Sequence, residues 1–184
     1  AIARQVQDQL FPRTVPEIPG VELRAVCHPA RMVSGDYYDY QPLGGTKTML
    51  VLGDVAGKGV SAALLMASLQ ACIRRQVSDL RAMPERVASP ALLVADINRQ
   101  LFASTSPEKF ATFFLAIYDH ATSELAYTNA GHLPPILVRA GQAEHGEARP
   151  LDQQGSQPVV DSRRDDDVGP AEQFAQCRGH GALT

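Results

Sequence analysis

The stretch from Thr46 to Val77 limits the possible folds more than any other part of the chain. A β-branched and apolar run, Thr46 to Leu52, ends at Gly53-Asp54. The loop Val55-Ala56-Gly57-Lys58-Gly59 follows, and the apolar period then changes from two to helical spacing. From Val60 to Val77, Ala63, Leu64, Ala67, Leu69 to Ala71 and Ile73 recur as on a long, Ala-rich, largely buried helix. A strand that gives way to a helix through glycines leaves its last carboxylate at the strand end, beside backbone with little steric cover. Upstream, Tyr37 to Leu43 reads as a second strand. The Gly44-Gly45 turn joins the two runs, which predicts a hairpin.

Shorter signals flank this unit. In Ala1 to Phe11, the four-residue spacing of Ile2, Val6 and Leu10 predicts a short amphipathic helix, ended by Pro12, Pro16 and Pro19-Gly20. Val21 to His28 alternates as a half-buried strand does. A second helix is expected from about Pro90 to Ala103, with Leu93, Ile97 and Leu101 on one face. Phe110 to Tyr118 is a strongly apolar strand, Asp119 to Ser123 a turn, Glu124 to Thr128 a returning strand and Ile136 to Val138 another. Strands, two helices and strands again give an α+β order, with antiparallel hairpins and helices laid on a sheet.

Composition and charge narrow the function. The 184 residues suffice for one core of ordinary domain size. No apolar run reaches the ~18 residues of a membrane span, and no basic start leads into an apolar stretch, so neither a span nor a secretory signal is expected. A net charge of −3 carries no footprint for nucleic acid. Cys27, Cys72 and Cys177 lie far apart, which argues against a zinc site or a disulfide framework and for a reducing, cytoplasmic compartment. Cys72 is expected to be buried and inert. Beyond Gly141 the texture changes. Residues 144–184 hold four Arg against eight Asp or Glu and few large apolar side chains, and are expected to be disordered or loosely attached.

Two acidic segments carry the chemistry. One is Ser34-Gly35-Asp36, followed by Tyr37-Tyr38-Asp39, and the other is Gly53-Asp54 with its glycine loop. Aspartates from adjacent strands can converge on a hard cation, since magnesium and manganese favour carboxylate, carbonyl and water ligands. Against this stands the ordinary use of a strand-end Asp as a cap or turn residue. Lys58 lies between glycines with no Gly-Lys-Ser/Thr opening the helix, so a nucleotide-binding loop is not indicated. Ser34 lacks the G-x-S-x-G elbow of a serine hydrolase. His132, in Asn129-Ala130-Gly131-His132-Leu133-Pro134-Pro135, reads by itself as a loop-shaping histidine sooner than as a catalyst.

Taken in order, these segments resemble the SpoIIE/RsbU-type bacterial serine phosphatases, a branch of the metal-dependent PPM protein phosphatases. The matching pieces are Ala3 to Gln7 through Leu10-Phe11-Pro12, Val33 to Asp39, Val51 to Gly59, Ser61-Ala62-Ala63, Ala111 to Phe114 and Asn129 to Pro135. The resemblance covers about residues 1 to 140. It implies an α-β-β-α sandwich of two antiparallel sheets flanked by helices, and a binuclear manganese or magnesium centre. Asp36 and Asp54 would be metal ligands and catalytic residues, with Val55 offering its backbone carbonyl. The implied reaction is hydrolysis of phosphoserine or phosphothreonine on a regulatory protein. The implied substrate is a phosphorylated anti-sigma-factor antagonist in a partner-switching pathway.

The resemblance also divides the chain: a linker helix and turn over 1–19 leading from an upstream sensor, a phosphatase domain over 20–143, and a divergent tail over 144–184. The family continues past this point with a Thr-Asp-Gly segment that carries a further ligand, and the chain has no Asp-Gly dipeptide. Asp161 and Asp165 to Asp167 are not assigned that role. The domain is therefore expected to be incomplete at its C-terminus, as truncation or a frameshift would leave it. A catalytically impaired pseudophosphatase that docks its partner is the alternative reading.

Overall fold

The structure, a computed structural model, describes residues 2–28, 32–83, 89–106, 108–139, 142–145, 159–161 and 176–177. In chain order the elements are α1 (Ile2–Asp8), β1 (Val26–Cys27), β2 (Asp36–Gly44), β3 (Lys47–Val55), α2 (Val60–Ala82), α3 (Pro90–Ser104), β4 (Ala111–Asp119), β5 (Glu124–Ala130), β6 (Ile136–Arg139), β7 (Gln142–His145), β8 (Val159–Asp161) and β9 (Gln176–Cys177). Gly44 and Gly45 sit at φ +103° and +57°, where a side chain is strained, and so close the β2–β3 hairpin. β3 pairs with β4 and β4 with β5, all antiparallel, and β8 adds to the free edge of β5. The main sheet runs β2-β3-β4-β5-β8.

Strand alternation divides the side chains of this sheet between two faces. Tyr37, Met49, Val51, Val55, Phe113, Leu115 and Ile117 stand on one face and meet Leu65, Met66, Leu69, Ile73 and Val77 of α2 and Leu93 and Ile97 of α3. Each such side chain taken from water contributes about 1.5–3 kcal/mol, so this interface is the main core. Gly53 keeps that packing close: a Cβ would lie 3.2 Å from Phe113 and 3.3 Å from Leu69, and both side chains would have to shift. The opposite face carries Tyr38, Tyr40, Leu50 and Tyr118, covered by Ile18, Val21, Leu23 and Ala25. Next to them Phe114 stacks on Tyr127 at 5.4 Å.

The α+β architecture is the expected one, with differences of detail. α2 runs to Ala82, five residues beyond the sequence signal, because Arg81 reaches back to the hairpin and donates to the Pro42 carbonyl at 2.8 Å. The strand expected over Val21 to His28 shrinks to Val26–Cys27, which pairs in parallel with β9. The apolar stripe of the first segment splits, with Leu10, just beyond α1, packed against the core. Ile2 and Val6 are exposed, and the buried residue is Gln7. Residues 144–184 supply the end of β7 and all of β8 and β9; the rest of the expected tail lies outside the described residues. Cys72 is partly buried against the core, and burial pushes its thiol up. Among the described residues no helix is long and apolar enough to cross a membrane.

Candidate metal centre

The hairpin register places Asp36 directly opposite Asp54, and the β3–β4 register places Asp54 directly opposite Thr112. Directly opposed residues share a face, so the three stand in one row at the end of the sheet, on the face away from α2 and α3. Asp39, three positions beyond Asp36, falls on the other face. There its fully buried carboxylate accepts from the Tyr37 hydroxyl at 2.6 Å, the Tyr40 amide at 2.8 Å and Gln41 Nε2 at 3.0 Å. Arg74 of α2 pairs with it at 3.1 Å. Burial and the Asp39 charge hold the Tyr37 phenol far above its ordinary range. The two acids of the Asp36-Tyr37-Tyr38-Asp39 segment therefore separate. One faces the site, and the other ties the sheet to a helix.

Asp36 is held by its own loop. The Ser34 hydroxyl donates to Asp36 Oδ2 at 2.8 Å and accepts from the Asp36 amide at 3.0 Å. Gln7 of α1 grips that loop with both ends of its amide, donating to the Ser34 carbonyl at 2.6 Å and accepting from the Ser34 amide at 2.9 Å. Gly35 lets β2 close on β3: a Cβ there would lie 2.6 Å from the Val55 carbonyl oxygen. That oxygen thus abuts the residue next to Asp36, and the Val55 amide donates to the Gly35 carbonyl at 3.3 Å. Asp54 is more exposed than its neighbours on β3. Burial, then the charge of Asp36 and a hydrogen bond with it, push the Asp54 carboxyl above the usual carboxylate range.

His132 closes the row beyond Thr112. Its Nδ1 lies 2.9 Å from Thr112 Oγ1, and the same oxygen lies 3.5 Å from the Asp54 carbonyl. The turn that carries His132 uses Gly131 at φ +74° and is pinned by Asn129. Asn129 Oδ1 accepts from the His132 amide at 2.8 Å, and Asn129 Nδ2 donates to the His132 carbonyl at 3.0 Å. Half-burial lowers the proton affinity of the ring, and the Asp36 charge works against that shift. Lys58 stays exposed in the loop between Gly57 at φ +115° and Gly59 at φ +72°.

Two facing carboxylates, of which Asp36 helps to raise the proton affinity of Asp54, are a site short of positive charge. With a main-chain carbonyl beside them, they match the donors of a hard divalent cation that retains several waters. The sequence-derived candidates Asp36, Asp54 and Val55 are thus brought together by one hairpin. Among the described residues no group of three or more His, Cys, Asp or Glu is gathered to hold a metal. The roles of Gln7 and Thr112 escaped the sequence reading. Gln7 offered one signal, as a polar residue off the apolar stripe of its helix.

The family described as Stage II sporulation protein E (SpoIIE) matches residues 44–159. Protein IcfG of Synechocystis sp. is 29% identical over 77% of this chain and 26% of its own length. Phosphoserine phosphatase RsbU of Bacillus subtilis is 29% identical over 72% of this chain and 37% of its own. The chain therefore spans only 26% and 37% of the length of these relatives. Among solved structures, the RsbU and RsbW domains of Rv1364c from Mycobacterium tuberculosis superpose with a TM-score of 0.55 at 30% identity, covering 73% of this chain and 37% of that one. The PP2C phosphatase domain of SpoIIE from Bacillus subtilis, with a fragment of its regulatory domain, superposes at 0.54 and 22% identity, covering 70% and 36%. That second likeness is one of fold.

Proposed function

The chain belongs to the SpoIIE family, and from that premise we propose that it is a metal-dependent protein serine/threonine phosphatase acting on a phosphorylated regulatory protein. The observation that carries this reading is the Asp36–Asp54 pair. Two carboxylates in direct register at a sheet end, one with raised proton affinity, support a divalent-cation site. Asp36 and Asp54 would supply its charged ligands, and the Val55 carbonyl a neutral one. A bound manganese or magnesium ion would lower the pKa of water and neutralise charge on the phosphoryl oxygens. The rest falls to the chain. Ser34 orients the Asp36 carboxylate, Gln7 fixes the Ser34 backbone, and Gly35 permits the close approach of the two strands.

The substrate we propose is a phosphorylated anti-sigma-factor antagonist in a partner-switching pathway, with an upstream sensor joined through α1. The phosphoserine phosphatase names of RsbU and of RsbP, 27% identical over 68% of this chain, support the enzyme over the non-catalytic docking module. The test is hydrolysis of an aryl phosphate and of a phosphoserine protein by the purified chain, with and without manganese. Manganese-dependent turnover that Asp54→Asn abolishes is the expected result. Full turnover in Asp54→Asn would overturn the site. A folded wild-type chain that binds manganese without turnover would move the role to docking.

A further inference from the structure

We infer that His132 is a substrate-contacting residue of the acid-pair site, donating its Nε2–H to a phosphoryl oxygen of the bound ester. The inference rests on the phosphatase reading and adds a ligand contact to it. Asp36, Asp54 and Thr112 occupy three adjacent strands. Strands stand about 4.8 Å apart, so the row is roughly 10 Å long. Asp54 itself stands one strand spacing from Thr112, whose hydroxyl holds His132, so a phosphate held at Asp54 has His132 as a neighbour along the row.

The hydrogen bonds fix the ring. The Thr112 hydroxyl has one proton and two acceptors within reach, His132 Nδ1 at 2.9 Å and the Asp54 carbonyl at 3.5 Å. Hydroxyl hydrogen bonds are rarely longer than about 3.0 Å, so we assign the Thr112 proton to the shorter contact, with Nδ1 as acceptor. An imidazole that accepts at Nδ1 and is neutral carries its own proton on Nε2. Burial of the ring favours that neutral form. No described residue accepts from Nε2.

A purely loop-shaping role does not need this side chain. Asn129 holds the turn through the backbone amide and carbonyl of His132, which any residue but proline would supply. The imidazole is instead anchored by Thr112, which stands beside Asp54, and it feels the charge of Asp36. A neutral donor binds a phosphoryl oxygen without giving up its proton, so His132 positions the ester and does not act as the acid.

The experiment uses the purified chain with manganese and takes inorganic phosphate as the probe. Phosphate affinity is measured directly and as inhibition of aryl phosphate hydrolysis, and manganese affinity is measured separately. His132→Ala should weaken phosphate about tenfold and raise KM more than it lowers kcat, with manganese affinity unchanged. His132→Gln, which keeps an amide donor, should recover part of the loss. Nitrogen-15 spectra of the wild-type ring should show the proton on Nε2, and Thr112→Val should remove that bias. Unchanged phosphate affinity in His132→Ala, or a ring protonated on Nδ1, overturns the assignment of His132 alone. A wild-type chain that binds manganese but neither binds phosphate nor hydrolyses the ester overturns the functional reading as well.

Discussion

Replacing Gly35 with alanine tests whether the site depends on how closely β2 approaches β3. The added methyl carbon would sit 2.6 Å from the Val55 carbonyl oxygen, 3.2 Å from Val55 Cβ and 3.4 Å from Ala62 Cβ. Ordinary carbon–oxygen contact needs several tenths of an ångström more, and the nearest atom is backbone of β3, held between β2 and β4. The strand start must therefore move, at a cost of about 1–3 kcal/mol for overpacking. The same movement breaks the 3.3 Å bond from the Val55 amide to the Gly35 carbonyl and separates Asp36 from Asp54. Gly44→Ala is the control. It meets nothing within 4 Å, but its φ of +103° strains any side chain, which costs about 1 kcal/mol. It lies at the far end of β2 from Asp36. Urea denaturation should show both variants less stable. With a slope of about 1–3 kcal/mol per molar urea, Gly35→Ala should shift the midpoint by roughly 1 M. Calorimetric titration with manganese should show affinity lost in Gly35→Ala and kept in Gly44→Ala. Wild-type manganese affinity in Gly35→Ala, or equal losses in the two variants, would refute the reasoning.

Three further outcomes follow from the same geometry. Gln7→Ala removes both side-chain bonds to the Ser34 backbone. At about 1 kcal/mol each, the loss should lower both the unfolding midpoint and the manganese affinity, whereas Ile2→Ala on the exposed stripe should change neither. Arg74→Leu leaves the Asp39 carboxylate buried without its cation, and should cost about 3 kcal/mol in denaturant unfolding, with Arg74→Lys recovering part. In the cation-free chain, Asp54 takes up its proton more readily folded than unfolded. The folded state then holds more protons, so stability falls as pH rises from the ordinary carboxylate range, about 3.9, through the raised pKa of Asp54. Asp54→Asn should flatten that fall in a pH series of unfolding midpoints while abolishing stabilisation by manganese. A steeper fall in the variant would contradict the like-charge origin of the shift.

Local signals account for much of the site. The Gly44-Gly45 turn fixes a hairpin, and a hairpin fixes which residues face each other. Asp36 and Asp54 therefore meet as a consequence of the chain between them. The strand-to-helix change of period at Gly53 to Val60 placed the glycine loop correctly for the same reason. Strand alternation also separates Asp36 from Asp39, and that separation was legible in the spacing though not drawn from it. What the sequence concealed lies at long range. Gln7 is 27 residues from Ser34, and Thr112 is 20 from His132 and 58 from Asp54. The helical periodicity of α1 showed a stripe of Ile2, Val6 and Leu10, of which Ile2 and Val6 are exposed in the fold. Hydrophobic spacing finds a stripe but does not say what the stripe packs against, and here the sheet end presented a backbone amide and carbonyl to be satisfied. By itself, the sequence determined the hairpin, its paired aspartates and the helix that follows. Only the tertiary structure decided that Gln7 turns inward and that His132 anchors on Thr112, because strand order and helix docking are set by the whole core, not by neighbours along the chain.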